Sequence, residues 1–445
     1  MVRHLRLGAI VTAGVVVLAG CGGVGADSGQ TALTTMGFGT GDEIATTRVA
    51  LADKAVAPFP VKIGGSAFDA QQFLSAVASH TAPDVIYLDR QLIGTYAARG
   101  TLEPLENCIA GQHIDMDQYR PAAVAEVTLN GKVYGLPESY DNRVLVVNNG
   151  AVRSVGLRPS DINPADRTAL SRVTATLTEH ASDGDVSRIG FDPKMPEFFP
   201  LWAKASGVQM LSDDGLRANL DDPRLVKVLE YTVGLIDQQG GWGSVKAFRD
   251  SFDFFGAKNP LMRDQLAAYP VDDWYLNVLG NVSPNVDMTV MPFTDTAGKP
   301  VDWATGSTWA IPAGSRHKDQ ACTWIKTMTD APTWIAAAKV RAAKRRAQGK
   351  VFTGVFTGNK VADKTIFSDL VKLADKPAFD TAVRTVLEVQ DSAFSMPASP
   401  AGSEFKSAWQ DAVNRVLSGQ QKPTEALAQA QQEAQLAIDN AVRRQ

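Results

Sequence analysis

The chain has 445 residues, 44% of them hydrophobic and 21% charged, a composition ordinary for a globular protein and long enough for two or three domains. Its 44 Lys and Arg are outweighed by 48 Asp and Glu, giving a formal net charge of -4, so nothing in the overall balance points to a nucleic-acid partner.

In chain order, the first signal is a positive stub, Arg3 and Arg6, followed by the apolar run "LGAIVTAGVVVLAG". That run has the length of a secretory signal and is short for a bilayer span. It breaks at Leu18-Ala19-Gly20-Cys21, which resembles the bacterial lipobox, whose cysteine is acylated and becomes the mature N-terminus. Residues 1–20 are therefore expected to be a lipoprotein signal peptide. Residues 21–31, rich in Gly and Ser, read as a flexible tether on an acyl anchor at Cys21. The expected location is the extracytoplasmic face of the cell membrane.

The body opens with a short strand, a Gly-rich turn "GFGTG" at residues 37–41, and a helix from about Asp42. "FPVKIGG" is a second strand, an amphipathic helix carries Phe68, Phe73, Leu74 and Val77, and "DVIYLD" is a buried strand. This alternation predicts a parallel α/β sheet, whose ligand site lies beyond the carboxyl ends of the strands. A hairpin is expected on Asn130-Gly131 and a proline-marked crossover at "GLPESYDNR". Further helices fall near residues 160–180 and 223–239, with strands at "SRIGFD" and "VDMTVMPF". The run "KVRAAKRRAQGK" at residues 339–350 is a basic helical stretch that reads as solvated surface. The tail "PTEALAQAQQEAQLAIDNAVRR" is a helix with an Ala-rich packing face.

Catalytic motifs are missing. There is no G-x-S-x-G, no G-x-x-x-x-G-K-[ST] and no H-E-x-x-H, and the third glycine of a dinucleotide loop is replaced by Asp42. The five histidines, at positions 4, 80, 113, 180 and 317, have no ligand spacing, so neither a metal nor a cofactor is expected. Cys108 and Cys322 are the two cysteines left once Cys21 is acylated; an oxidising compartment permits a disulfide, but their separation leaves pairing open. Aromatic and planar polar groups, by contrast, are plentiful in loops. "PEFFPLW" carries Phe198, Phe199 and Trp202; "PVDDWYLN" carries Asp272, Asp273, Trp274 and Tyr275; "ATGSTWAIPAGS" carries Gly306, Ser307 and Trp309. Ring faces stack on sugar C–H surfaces while carboxylates, guanidinium groups and backbone amides take hydroxyls. Phe199, Trp202, Tyr275 and Trp309 read as core, whereas Trp274, beside two acids, reads as site.

Several stretches in this order resemble the extracellular solute-binding proteins of carbohydrate ABC importers, the family that includes maltose-binding protein. They are "APDVIYLD" with "YAARGTLEPL", "NGKVYGLPESYDNRVLVVNN", "RIGFDP", "LSDDG" with "NLDDP", "DDWYL" and "WAIPAGSRHKDQACTWIKTMT". The resemblance implies an α/β, two-lobed periplasmic-binding-protein-like fold of type II, with hinge strands and a ligand cleft between lobes. On that pattern residues 32–141 and 293–347 form one lobe and 142–292 and 348–445 the other. The crossings then fall near residues 140–144, 288–292 and 348–359. It also implies ligand contacts from Gly39, Thr40, Asp89, Arg90, Asp141, Trp274, Gly306 and Ser307. Two departures stand out: the first loop is poor in aromatics, and Arg143 adds a cation that a neutral sugar does not require.

The function expected is a monomeric, lipid-anchored receptor that delivers a sugar or sugar derivative to an ABC permease without chemical change. Trp274 and Phe198 are expected to stack on the ligand, Asp89, Asp141 and Asp273 to take hydroxyls, and Arg90 and Arg143 to take hydroxyls or an acidic group. Two alternatives stay open at this point: the same fold binding a glycerophosphodiester through Arg143, and a secreted glycoside-acting enzyme. A scaffold lipoprotein with no small ligand is the remaining one.

Overall fold

The computed structural model describes residues 32–444, so the expected signal peptide, Cys21 and the tether lie outside the described residues. Two sheets organise the body. The first runs in the order Val61–Lys62, Leu33–Met36, Val85–Asp89, Ser307–Ala310, Leu136–Pro137. Its first three strands are parallel, and Ser307–Ala310 lies antiparallel to both of its neighbours. The second sheet is antiparallel, with Arg143–Asn148 between Ala268–Asp272 and Met288–Pro292. Composition explains the placement. Arg143–Asn148 is buried along its whole length, as a central strand must be, while Pro137, Pro270 and Pro292 sit on edge strands where a missing N–H breaks no ladder bond.

Helix boundaries follow local chemistry. Asp42 caps Glu43–Ala55 by accepting from the Ala45 amide at 2.9 Å, and Ile44, Ala45, Arg48, Val49 and Ala52 form its buried stripe. That stripe packs on the helices Lys318–Thr329 and Ala331–Ala347. Asn130 and Gly131, with φ of 51° and 75°, form the tight turn between Thr128–Leu129 and Lys132–Val133. At the C-terminus Gly402–Leu417 and Pro423–Val442 pack together, with Ala426, Ala430 and Ala434 buried.

Apolar side chains gather in separate cores. A large one joins Val144–Val147 with Phe191, Trp202, Tyr269, Phe379 and Trp409. A smaller one joins Leu33, Val85, Leu136, Trp309 and Trp324. The sequence places one crossing after Pro292, but Phe293, Val301 and Trp303 pack in the larger core and the chain joins the five-stranded sheet at Ser307. The reason is that "VDW" pairs its Asp302–Trp303 strand with Ala393–Phe394 and buries Trp303 before the chain turns back.

Where the chain passes between cores, the segments hold one another. Glu138 N–H donates to Ser307 O at 3.0 Å, Asp141 and Thr305 exchange backbone bonds at 2.9 and 3.2 Å, and Gly358 N–H donates to Glu138 O at 2.6 Å. Around them lie carboxyls taken out of water. Burial raises Glu126 to about 7, against the opposing pull of Arg90 at 2.6 Å; it raises Asp302 to about 7 and Asp363 to about 6.

Cys108 and Cys322 are joined as a disulfide, closing a sequence separation of 214 residues and tying Glu106–Gly111 to Lys318–Thr329. Replacing both by Ser is expected to cost about 2–4 kcal/mol in denaturant unfolding; an unchanged unfolding midpoint contradicts a stabilising bridge. The raised carboxyls set a second expectation. A group whose folded pKa lies above its ordinary value of ~4 stabilises the fold below that value and loses this contribution as pH rises through the folded one. Glu126, Asp302 and Asp363 therefore destabilise progressively from about pH 4 to 7, whereas the lowered Glu43, near 2, titrates below that window. The thermal midpoint of the ligand-free protein should rise as pH falls from 8 to 5, and a fall over that interval contradicts the assignment.

Candidate ligand-binding cleft

The junction of the two sheets opens into a cavity of about 660 Å³, within the size range of small-molecule sites. The five-stranded sheet brings Phe38 and Gly39 from the end of its first strand, Tyr87 from the third and Ser307 from the returning one. The helices Glu43–Ala55 and Ala331–Ala347 add Arg48 and Trp334. The opposite wall is the start of the helix Trp274–Val282, with Asp273, Trp274 and Asn277, and the segment around Phe356.

Glu138 forms the floor. Its carboxylate accepts from Arg48 Nη2 at 2.7 Å and from the Trp309 indole N–H, and all three side chains are nearly or fully buried. Arg48 also donates to Met328 O at 3.0 Å, and its guanidinium lies 3.8 Å from the centre of the Trp334 ring, so one face of that indole is already covered. Phe38 packs against Tyr87 and Trp309 at 5.1 and 4.9 Å, making a rigid aromatic wall. Burial raises the Tyr87 hydroxyl well above its ordinary range, which keeps it a neutral donor.

Across from this wall stand two carboxylates. Asp273 is 1% exposed and its Oδ2 accepts from both the backbone and the side-chain amide of Asn142, at 3.0 and 2.6 Å. Loss of hydration, then the Asp141 charge, push it well above the ordinary range despite those bonds. Asp141 is raised to about 6, first by loss of hydration and then by Asp272, with Arg143 and Arg90 opposing. Loss of hydration favours the neutral carboxyl at Asp273 and raises Asp141, so the two groups can both donate to and accept from the hydroxyls of a neutral polyol. Beside them Trp274 is 43% exposed, parallel to the exposed Phe255 with ring centres 6.1 Å apart. These rings border a neighbouring hollow of about 550 Å³ that shares Trp274, Asn277 and Arg341 with the main cavity, so the cleft is elongated. Among the described residues no group of three His, Cys, Asp or Glu is placed to hold a metal ion.

Of the residues singled out from sequence, Gly39, Asp141, Asp273, Trp274 and Ser307 line this cavity. The others lie elsewhere, each for a physical reason. Thr40 is exposed on the loop beyond Gly39 and outside the lining. Asp89 caps the turn that follows its strand, accepting from Gln91 N–H at 3.0 Å, and pairs with Lys406 at 2.7 Å. Arg90 is fully buried, paired with Glu126 and donating to Ser139 O. Gly306, at φ 147°, is pressed so close to Ser139 that a Cβ would fall 2.4 Å from its carbonyl oxygen, a backbone role. Arg143 is held between the Phe198 and Trp303 rings at 5.2 and 4.8 Å, pairs with Asp272 at 2.9 Å and donates to the Asp141 and Trp303 carbonyls. Phe198, 4% exposed, is thereby core rather than cleft. Phe199, Trp202, Tyr275 and Trp309 are likewise buried.

Sequence reasoning missed Arg48, Glu138, Trp334 and Phe356. A signal existed for Arg48, the lone cation in the apolar stripe of its helix, where an unpaired charge is untenable. None existed for its pairing with Glu138, 90 positions away.

A model of the family described as bacterial extracellular solute-binding protein matches residues 52–346. Among curated protein sequences none matches this chain. Solved structures that resemble it include CpMnBP1 with mannobiose bound, at 24% identity and TM-score 0.72, covering 91% of this chain and 100% of that one. The ABC substrate-binding protein Lmo0181 from Listeria monocytogenes, in complex with cycloalternan, is 18% identical at TM-score 0.74, covering 92% and 99%. The maltose/maltodextrin-binding domain MalE from Bdellovibrio bacteriovorus, bound to maltotriose, is 19% identical at TM-score 0.66, covering 92% and 98%. With the family match spanning well over half of its length and a two-lobed architecture of the same kind, this chain belongs to the bacterial extracellular solute-binding proteins.

Proposed function

We propose that the protein is the receptor of an ABC import system and captures an oligosaccharide or sugar derivative in the cleft for delivery to the membrane permease. The observation that carries this reading is the pairing of an exposed indole, Trp274, with the carboxyl groups of Asp141 and Asp273 in one elongated cavity. A sugar presents both of the surfaces such a site needs, C–H faces for the ring and hydroxyls for the acids. The oligosaccharides bound by CpMnBP1, Lmo0181 and MalE support it by similarity of fold. The cleft binds and releases; no bond in the ligand is broken. A glycerophosphodiester fits less well, because Arg143, the cation it would need, is consumed by Asp272 and two carbonyls.

The lobe limits that fit this function are residues 32–141 with about 304–347, and 142–303 with about 371–445, a reading supported by the burial of Trp303 in the larger core; residues 348–370 pass between the two, Val351 and Phe356 packing in the larger core and Phe352, Ala362 and Ile366 with Ile44 and Trp334. Closure would rotate these bodies about residues 138–142, 303–307 and 351–359, a few element-terminal positions of the kind that absorb such motion. In this reading Cys21 carries the lipid anchor and residues 21–31 the leash, and a monomer suffices, since each chain contains a whole cleft.

The test is calorimetry with a panel of mannose- and glucose-based oligosaccharides. At least one should bind, and Trp274→Ala should weaken it by at least about 1 kcal/mol, the value of one good aromatic contact. Unchanged affinity in that variant removes Trp274 from the site, and new reducing ends after incubation would show an enzyme instead.

A further inference from the structure

The basic run at the end of the helix Ala331–Ala347 divides in two. Arg341 and Lys344 border the cleft and are paired with Glu43 at 2.7 and 2.8 Å, Arg341 also with Asp42. Arg346 instead borders a separate cavity of about 280 Å³, where Lys350, Lys372 and Lys376 meet it from outside the helix. Asp375 is the one carboxylate in its lining. The floor is apolar, with Phe352 and Leu373 both buried.

Among the described residues none of the four cations has a carboxylate partner. Arg346 and Lys350 make no side-chain hydrogen bond or ion pair among the described residues. Lys372 donates to Ser368 O at 3.1 Å and Lys376 to Asn285 Oδ1 at 2.9 Å, neutral acceptors that orient the ammonium groups without cancelling their charge. Offsetting the helix dipole accounts for Arg346 in the last turn, but not for three lysines drawn from other segments. A concave surface that gathers four positive charges in a chain of net charge -4 focuses an attractive field for anions.

We propose that this cavity binds a phosphate group. Several anionic oxygens on one tetrahedral centre can accept from cations approaching on different sides, which a planar carboxylate with two oxygens cannot do. The group can come from two sources, the headgroup of an anionic phospholipid or free phosphate. The site lies apart from the main cavity of the sugar cleft and shares one residue, Lys350, with the hollow that extends that cleft.

Full-length protein and its Lys350→Glu/Lys372→Glu variant are compared for binding to phosphatidylcholine vesicles with and without phosphatidylglycerol. The N-terminal segment is common to both proteins, so the difference between them reports the cavity. Each basic residue at an anionic surface contributes about fivefold to partitioning, so losing two lysines alone costs about 25-fold, and with two carboxylates added the variant should lose at least that much on the phosphatidylglycerol vesicles, while salt should weaken the wild type alone. In a parallel arm, inorganic phosphate should raise the thermal midpoint of the wild type and not of the variant if the free anion is the ligand. Arg346→Gln, a milder change, should give a smaller loss in whichever arm responds. Either arm responding and failing in the variants supports the site and names its source. No response in either arm, or responses that the variants leave unchanged, overturns it.

Discussion

The structure hangs on Glu138. It stands where the chain leaves the five-stranded sheet, and its backbone is bonded to both other passing segments, through Ser307 and Gly358. Its carboxylate, removed from water, holds Arg48 and the Trp309 indole. Burying one charge here would be costly, and burying the pair is tolerable because the geometry is close and Met328 O takes another of the guanidinium donors. Such a pair adds little to stability relative to an apolar substitute, but breaking either half leaves a stranded charge. What it supplies is position: helix, sheet and crossover meet at one fixed point under the cleft.

From that point the cleft's asymmetry follows. The wall on the side of the five-stranded sheet is stiff, with Phe38, Tyr87, Trp309 and the Arg48–Trp334 stack locked together. The opposite wall offers the adaptable groups, Trp274 half-exposed at the start of its helix with Asp273 beside it, while Asp141 stands at the crossing between the walls. A rigid platform facing a wall of donors and acceptors on a separate core suits capture by closure, because the second set completes the site only when the halves approach. The disulfide between Cys108 and Cys322 braces the platform side, where it links chain segments 214 positions apart.

Much of the fold was legible because its signals are local. The alternation around "DVIYLD", the Asn130-Gly131 turn, the helix start near Asp42 and the Ala face of the last helix each depend on neighbours in sequence. Trp274 with Asp273 was legible for the same reason, two chemistry-bearing residues side by side at a strand-to-helix turn. What was not legible depends on partners far away. Phe198 and Arg143 look like ligand residues in isolation, yet they satisfy each other, the guanidinium lying over the ring in the core. Arg90 likewise looks free at the end of its strand until Glu126, on a later helix, claims it. The stretch after Pro292 reads in sequence as a return to the first lobe, yet Phe293 and Trp303 bury themselves in the larger core beyond the proline that marks the end of their strand.

The central claim is that two bodies joined at Glu138, Ser307 and Gly358 close over a sugar-like ligand. Small-angle scattering of the protein with and without a saturating oligosaccharide tests it most directly. The account predicts a smaller radius of gyration and a shortened maximum dimension in the bound state. Identical profiles at proven saturation would contradict it.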